Sequence, residues 1–466
     1  MSAIAAAADI AAAVRGRRRS ACEVVDAALA GIERSNTRLN AFTAVTADRA
    51  RARAAAIDAA IARGDPAGPL AGVPFAVKNL VDVAGLPTLA GSRINRDRTP
   101  AKADAAPVAR LEAAGAVLVG ALNMGEYAYD FTGENCHDGP SRNPHDASRM
   151  TGGSSGGSGG AVGGGLVPIA LGSDTNGSIR IPASFCGIFG LKPTYGRLSR
   201  AGSFPFVSSL DHLGPLARST LDLALAYDAM QGHDAHDPVC VARPGEPATP
   251  ALGGGIGGLR IVRAGGYFRA GAAPEALAAL DRVAAALGAK REIDIPEAAR
   301  ARSAAYVITA SEGAALHLGR LRKRAADFDP DVRDRLIAGA LIPGAAVAAA
   351  QKFRRWYREA VLRLFDEVDA ILAPATPFAA PPIGQKSFML AGKEVALRPN
   401  IGIYTQPISF IGLPVVAVPV PEAADKLPIG VQIIAAPWRE DIALRTSHHL
   451  ETTGAVCAPL PPALGE

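Results

Sequence analysis

The sequence has few cysteines, and they do not form the groupings that a metal site or a disulfide framework needs. The chain of 466 residues contains five, all far apart: Cys22, Cys136, Cys186, Cys240 and Cys457. Without a Cys-x-x-Cys pair or a cysteine–histidine cluster, we expect no zinc site and no other metal. An odd number of dispersed cysteines also predicts no disulfide framework, and it fits a reducing, cytoplasmic location.

We also expect no segment for export or membrane insertion. Asp9 interrupts the alanine-rich run near the N-terminus, and the arginines follow this run, whereas in a signal peptide the basic residues come first. No apolar stretch reaches the roughly 18 residues that a membrane helix needs. We therefore expect no membrane association.

Dense basic runs and aromatic residues are scarce, which argues against nucleic-acid binding. Aromatic residues make up 5% of the chain, and the net charge is +5. The two dense basic runs, 15–20 and 320–324, contain no aromatic side chain on which a base could stack. The glycine-rich stretch that begins at residue 151 contains neither a P-loop motif nor the G-x-G-x-x-G motif of dinucleotide-binding folds. We expect no nucleic-acid partner and no cofactor.

Apolar residues are abundant, at 49% of the chain, and their spacing predicts an α/β fold with a largely buried sheet. Helical periodicity runs through 3–62, with one helix stopping at Asn36, whereas 70–85 predicts a buried strand. A helix and then a strand are expected within 103–124. Two paired strands are expected near the end of the chain, at 413–421 and 428–437. We expect one domain, 1–466, in three parts joined by a Pro/Gly-rich loop at 243–258: N-terminal helices (1–65), a core (66–242) and a C-terminal part returning strands to the same sheet (259–466).

Residues 151–182 are the most informative stretch, because two serines lie there in glycine-dense sequence. Ser154 and Ser178 are 24 positions apart. Dense glycine marks backbone that approaches something closely, and exposed N–H groups beside a serine suit acyl transfer. A flexible linker has a similar composition. However, this stretch leads directly into the apolar run 166–172, which a linker would not do.

Lys78 is the second unusual residue, because it falls within the apolar stretch 70–85. A buried ammonium group is costly unless it is paired or neutral. One interpretation is a lysine that extends to solvent at the end of a strand. The other is a neutral general base, whose pKa desolvation would lower from about 10.4 to near 7.

The loop at 174–180 allows a structural and a chemical interpretation. Asp174 and Arg180 could form a structural ion pair in a turn. Alternatively, Ser178 is a nucleophile, with the backbone N–H groups of Thr175, Asn176, Gly177 and Ser178 forming an oxyanion hole. A Ser–His–Asp triad of the α/β-hydrolase type is not indicated, because the loop lacks a G-x-S-x-G elbow and none of the eight histidines is linked to the serines.

Taken together, these stretches resemble the amidase signature family. The resemblance rests on Lys78 in LAGVPFAVKN, on GGSSGGS and on DTNGSIRIPASFCGIFGLKPT, and it continues through LAPATPFAAPPIG and IGLPVVAVPVP. It implies a central mixed, twisted β-sheet covered by helices on both faces. It also implies a Ser–cis-Ser–Lys triad, with Ser178 as nucleophile, Ser154 as bridging serine after a cis peptide bond from Gly153, and Lys78 as base.

Asn176 departs from the family pattern, which usually has glycine at this position. Asparagine tolerates a left-handed backbone better than most residues, so we expect the loop geometry to survive. Its amide could also contact a small, polar substrate. A cationic residue would suit a carboxylate on that substrate, with Arg322 in the run 320–324 as one source, although such a run more often forms a solvated helix face. The substrate-binding candidates are Tyr127, Asp130, Asn176, Arg322, Thr405 and Gln406.

The resemblance implies an amidohydrolase that releases ammonia from a small amide or urea-like substrate. Several segments, among them YAYDFTGEN at 127–135, are similar to a branch that acts on carboxylate-bearing urea-like acids together with a small helical partner subunit. We therefore expect such a partner, in a homodimer or a heterotetramer. Two alternatives remain: the glutamine-hydrolysing subunit of a tRNA-dependent amidotransferase, and a non-catalytic scaffold, against which the intact Lys78, Ser154 and Ser178 argue.

Overall fold

The computed structural model describes residues 5–390, 392–421, 427–458 and 461. Within these ranges the chain forms an 11-stranded sheet, a two-stranded hairpin and fourteen α-helices. The strands are β1 (Phe42–Val45), β2 (Pro74–Lys78), β3 (Val117–Leu122), β4 (Ile169–Asp174), β5 (Phe189–Lys192), β6 (His212–Ala217), β7 (Ile261–Ala264), β8 (Glu292–Ile293), β9 (Ala370–Pro374), β10 (Ser387–Leu390), β11 (Lys393–Ala396), β12 (Val415–Val420) and β13 (Ile429–Ala435). The α-helices are α1 (Ala7–Arg15), α2 (Ala21–Leu39), α3 (Ala47–Arg63), α4 (Ala106–Ala113), α5 (Gly156–Gly163), α6 (Arg180–Cys186), α7 (Thr220–Met230), α8 (Pro274–Ala286), α9 (Ala298–Arg324), α10 (Pro330–Ala340), α11 (Gly344–Leu362), α12 (Leu397–Asn400), α13 (Gln406–Ser409) and α14 (Glu440–Thr452).

The large sheet is mixed, with the strand order β1-β3-β2-β4-β6-β5-β12-β13-β9-β7-β8. Strand β2 runs parallel to β3 and β4, and β7 runs parallel to β8 and β9, whereas the other neighbours are antiparallel. This confirms the predicted α/β class with a central mixed sheet. Every residue of β2, β3, β4, β6, β12 and β13 is buried, which explains why these strands appear in the sequence as nearly continuous apolar runs.

The late strands lie in the middle of the sheet. Strand β12 pairs with β5 on one side and with β13 on the other, and β13 continues the sheet into β9. The predicted pairing of 413–421 with 428–437 is therefore confirmed. The division of the chain into the segments 1–65, 66–242 and 259–466 stays a prediction.

Two predicted element boundaries are corrected. The strand expected over 70–85 covers only Pro74–Lys78, because the chain turns at once, with the Val81 N–H donating to the Lys78 carbonyl at 2.9 Å. Helix α2 continues beyond Asn36 to Leu39. The Asn36 Oδ1 atom instead accepts from the N–H groups of residues 41 and 42, so its side chain orders the turn after the helix rather than ending the helix.

The glycine–serine stretch is partly helical, although the sequence suggests a loop. Residues Gly156–Gly163 form α5, and all of them are buried. A Cβ atom on Gly157 would lie 2.5 Å from both the Ala41 carbonyl oxygen and the Asn123 backbone nitrogen. The glycines here allow a helix to pack directly against neighbouring backbone.

Within the described ranges, no single helix is long and apolar enough to cross a membrane. One pair of helices, Pro330–Ala340 and Gly344–Asp366, meets the length and composition criteria only when combined, across a bend of 94°.

Candidate active site

Lys78, the last residue of β2, places its amine in a buried cluster of serine hydroxyls. Its Nζ atom donates to the Oγ atoms of Ser154 at 2.6 Å, Ser173 at 2.8 Å and Ser155 at 3.0 Å. The side chain is 0% exposed, so the alternative of a lysine that extends to solvent does not describe it. Three hydroxyls satisfy the amine in both protonation states: an ammonium group donates three hydrogen bonds, and a neutral amine donates two and accepts one.

Burial lowers the pKa of Lys78 from its usual value to about 7. The negative charges of Asp174, Asp130 and Asp211 act in the opposite direction, but they do not outweigh the loss of solvation. None of these carboxylates forms a salt bridge with Lys78 among the described residues. A substantial neutral fraction at neutral pH is the property that a lysine needs to act as a base.

Ser154 follows a cis peptide bond from Gly153, as the family resemblance implies. Ser155 and Ser173 were not identified from the sequence, although they adjoin residues that were. Their contact is reciprocal: the Ser155 hydroxyl donates to the Ser173 carbonyl, and the Ser173 N–H donates to Ser155 Oγ, both at 3.2 Å. The serine doublet at 154–155 was the available signal for Ser155, but nothing in the sequence pointed to Ser173.

The loop that carries Ser178 is shaped by a fully buried ion pair between Asp174 and Arg180, with a shortest distance of 3.0 Å. The Asp174 carboxylate also accepts from the backbone N–H groups of Gly177 at 2.7 Å and Ile179 at 3.2 Å. Burial alone would raise the pKa of Asp174, but the Arg180 guanidinium outweighs burial and holds the pKa well below its usual range. The structural interpretation of this pair is therefore correct, and the pair also fixes the backbone on both sides of Ser178.

Gly177 is removed from the donors of the predicted oxyanion hole, because its N–H group donates to Asp174. Gly177 instead allows the loop its conformation, since its φ is +137° and a Cβ atom there would lie 2.2 Å from Thr405 Oγ1. Outside the regular elements, the described hydrogen bonds include none from the backbone N–H groups of Thr175, Asn176 or Ser178. An oxyanion hole formed by the N–H groups of Thr175, Asn176 and Ser178 stays a prediction.

A cavity of about 690 Å³ adjoins this loop. Ser178 lines it, and among the described residues the Ser178 Oγ atom has no hydrogen-bond partner. Of the predicted binding residues, three line the same cavity: Asp130, Asn176 and Gln406.

The other three predicted binding residues lie elsewhere. Tyr127 is buried in an aromatic cluster, with its ring centroid 4.0 Å from that of His317. Thr405 lies beneath the loop, where its hydroxyl donates to the Asn176 carbonyl at 2.6 Å. Arg322 and Lys323 are exposed in the last turn of α9, so Arg322 lies on a solvated helix face, which was the alternative interpretation, whereas Arg320 and Arg324 of the same run are half-buried.

The cations of the cavity are instead Arg302, Arg335 and Arg398, which the sequence did not indicate. They come from α9, α10 and α12, which are far apart along the chain and share no local motif. Arg398 is paired with carboxylates, at 2.8 Å from Asp130 and 2.9 Å from Asp331.

Arg302 and Arg335 have neutral partners only, within the described residues. The Arg302 guanidinium donates to the side-chain oxygens of Gln406 at 3.1 Å and Asn400 at 2.7 Å. The Arg335 guanidinium donates to backbone carbonyls and lies 3.9 Å from the ring centroid of Tyr129. Two guanidinium charges without a carboxylate partner make this cavity suited to an anion.

The described residues contain no group of three or more His, Cys, Asp or Glu side chains that could hold a metal ion. The five cysteines are free thiols.

Comparisons with known proteins give consistent results over most of the chain. A family profile described as "Amidase" matches residues 23–444. AtzE, a component of the 1-carboxybiuret hydrolase of Pseudomonas sp. (strain ADP), is 56% identical over 438 residues, which cover 94% of this chain and 96% of that protein. One component of the glutamyl-tRNA(Gln) amidotransferase of Methylococcus capsulatus is 40% identical over 474 residues, covering 95% and 96%.

Solved structures agree with these sequence matches. One, described as "An unexpected vestigial protein complex reveals the evolutionary origins of an s-triazine catabolic enzyme", superposes with a TM-score of 0.97 at 54% identity. That match covers 98% of this chain and 100% of the other. A bacterial aryl acylamidase superposes with a TM-score of 0.89 at 28% identity, covering 97% of each chain.

Proposed function

Since this chain belongs to the amidase family and is a hydrolase of carbon–nitrogen bonds in amides, we propose that Ser178, Ser154 and Lys78 perform its chemistry. The observation that carries this proposal is the buried Lys78 amine, 2.6 Å from Ser154 Oγ, with Ser178 lining the adjoining cavity. Ser178 is the nucleophile, Ser154 the proton bridge and Lys78 the base.

The reaction begins with neutral Lys78. Its amine takes a proton from the Ser154 hydroxyl while Ser154 takes the proton of Ser178, and Ser178 Oγ attacks the amide carbonyl carbon. The backbone N–H groups of Thr175, Asn176 and Ser178 stabilise the negative oxygen of the tetrahedral intermediate. The same relay returns a proton to the leaving nitrogen, ammonia departs, and water hydrolyses the acyl-enzyme.

Replacement of the nucleophile tests this assignment directly. We expect Ser178→Ala to abolish ammonia release and covalent labelling by a fluorophosphonate, while the melting temperature changes little. Lys78→Ala should also suppress labelling, because the serine then lacks its base. Ser148→Ala, which removes an exposed hydroxyl, is the control and should be labelled normally. Near-normal turnover by Ser178→Ala would contradict the assignment.

The pH dependence tests Lys78. Its pKa is lowered to about 7 by burial, and only the deprotonated amine can accept a proton. We therefore expect kcat/KM to rise as the pH increases through about 7 and then to level off, measured as ammonia release at constant ionic strength. A profile that stays flat from about pH 6 to 10 would rule out Lys78 as the base.

For the substrate, we propose a small carboxylate-bearing amide or urea-like acid such as 1-carboxybiuret, the substrate in the name of the 56% identical relative. The uncompensated charges of Arg302 and Arg335 in the cavity support this class. A charge-assisted hydrogen bond to a carboxylate contributes about 1.5–3 kcal/mol, so each arginine should matter measurably.

Two neutralising substitutions test the carboxylate preference. We expect Arg302→Gln and Arg335→Gln each to lower kcat/KM for malonamate about tenfold or more relative to malonamide, which lacks the carboxylate. Arg322→Gln removes an exposed arginine outside the cavity and is the matched control. If Arg322→Gln changes the ratio of kcat/KM for malonamate to that for malonamide, and Arg302→Gln and Arg335→Gln do not, then Arg302 and Arg335 do not bind the substrate carboxylate.

A second protein chain is part of this proposal. The related structure described as a protein complex supports an association, and we propose a small helical partner bound in a heterotetramer, or otherwise a homodimer. A role in a tRNA-dependent amidotransferase is the alternative, favoured only by relatives of lower identity such as the one at 40%. A cytoplasmic location stays a prediction.

Copurification with assay of each fraction separates these assemblies. We expect ammonia release from small amides by the chain alone or with a small helical partner, with the stoichiometry given by light scattering. Activity restricted to glutamine, in a complex with a large tRNA-binding protein, would favour the amidotransferase instead.

A further inference from the structure

We propose that Asn176 determines substrate specificity by accepting a hydrogen bond from an N–H group directly bonded to the scissile carbonyl. The inference rests on the proposed function, with Ser178 as the nucleophile. This hydrogen bond selects ureido compounds, R–NH–CO–NH2, over amides in which a CH2 group replaces the N–H group next to the scissile carbonyl.

The first observation is an unmet acceptor in the cavity wall. Asn176 lies two residues before Ser178, lines the same cavity and is 5% exposed. Its Nδ2 group donates to Thr309 Oγ1 at 2.9 Å. Its Oδ1 atom is buried without a hydrogen-bond partner among the described residues. A buried acceptor left in this way is costly and needs an explanation.

The second observation is that the backbone does not require asparagine here. The sequence suggested that asparagine replaces glycine because it tolerates a left-handed conformation. In the structure the residue with positive φ is Gly177, and Asn176 is not among those with positive φ. The reason for an amide side chain at this position must therefore lie in its contacts.

The third observation is that Asn176 is held in place from two sides. Thr309, itself 3% exposed on α9, fixes the side-chain nitrogen, and the Thr405 hydroxyl fixes the backbone carbonyl at 2.6 Å. An acceptor fixed before the substrate binds loses little conformational entropy when it forms its hydrogen bond.

These observations define the group that Oδ1 would recognise. A carbonyl oxygen accepts but cannot donate, so its partner must be an N–H or O–H group. Asn176 is two positions from Ser178 along the loop, so the carbonyl carbon that Ser178 attacks would be held near Asn176. The substituent on that carbon is therefore the nearest candidate partner for Oδ1. A CH2 group there would leave Oδ1 unpaired, and sites built to pair with an N–H group discriminate strongly against analogues that lack it.

Two pairs of isosteres isolate this contact. Allophanate and malonamate differ only by N–H against CH2, and so do the neutral pair biuret and malonamide. The measurement is the ratio of kcat/KM within each pair, in the wild type and in Asn176→Gly. Since the intrinsic reactivities cancel when the two ratios are compared, the change reports the side chain. We expect the N–H preference to fall about tenfold in Asn176→Gly.

Asn176→Asp is the conservative variant, because it retains an acceptor oxygen at the same position. With the neutral pair, biuret and malonamide, it should keep the N–H preference that Asn176→Gly loses. A purely structural role for Asn176 would lower all rates and leave both ratios unchanged in Asn176→Gly, and that result would overturn the inference while leaving the proposed function intact.

Labelling of Ser178 separates this failure from failure of the proposed function. If the wild type is neither labelled by a fluorophosphonate nor active on any of the four compounds, the proposed function fails, and the inference with it. If the wild type is labelled but does not turn the compounds over, the measurement is how strongly biuret and malonamide each slow the labelling of Ser178. The ratio of these two effects reports the N–H preference in binding. If this ratio is the same in the wild type and in Asn176→Gly, the inference is overturned.

Discussion

The buried ion pair of Asp174 and Arg180 is the interaction on which the rest of the site depends. The carboxylate accepts two backbone N–H groups of the serine loop, and the guanidinium donates to the Thr405 carbonyl at 3.2 Å and to Gln432 Oε1 at 2.6 Å. A buried pair of this kind adds little net stability compared with apolar packing, but removal of one partner costs about 3–5 kcal/mol. Its value here is geometric, because it fixes the loop around Ser178 and joins it to the C-terminal strands.

The site keeps its charges apart according to their roles. Every hydrogen-bond partner of the Lys78 amine in the described part of the chain is a hydroxyl, so desolvation prevails and the pKa falls to about 7. Had Asp174 contacted Lys78 instead of Arg180, the ammonium form would be favoured, and Lys78 could not serve as the base that we propose. On the cavity side, Arg302 and Arg335 have no carboxylate partner among the described residues, which leaves both guanidinium groups available to an anionic ligand. The surroundings of Lys78 therefore favour the neutral form of its amine, whereas the neighbouring cavity favours a bound anion.

The sequence predicted the elements and site residues that have a local sequence pattern. It did not predict those whose position depends on tertiary contacts. Lys78 stood out because a lysine is rare in a buried strand, and the two serines because of their dense glycine. Helix α5 was not predicted, because eight residues rich in glycine have low helix propensity and are stabilised only by close packing on their neighbours. The cavity arginines come from three distant helices, so no spacing along the chain could group them. Arg322 was chosen for its basic neighbours, which on a helix more often indicate exposure than a site.

The position of β13 in the sheet has a consequence for the order in which the protein becomes competent during its synthesis. Gln432 of β13 lies 252 positions after Arg180, yet it accepts one of the hydrogen bonds of that guanidinium. Lys78, Ser154 and Ser178 are all made in the first half of translation, but the loop that carries Ser178 has all its buried partners only after the late strands have been made. Folding that must join such distant segments is slow, because the loop closure precedes the contacts that stabilise it. A ribosome-bound chain that has not yet produced β13 therefore lacks the Gln432 contact that helps to hold Arg180, and with it part of the support of the Ser178 loop.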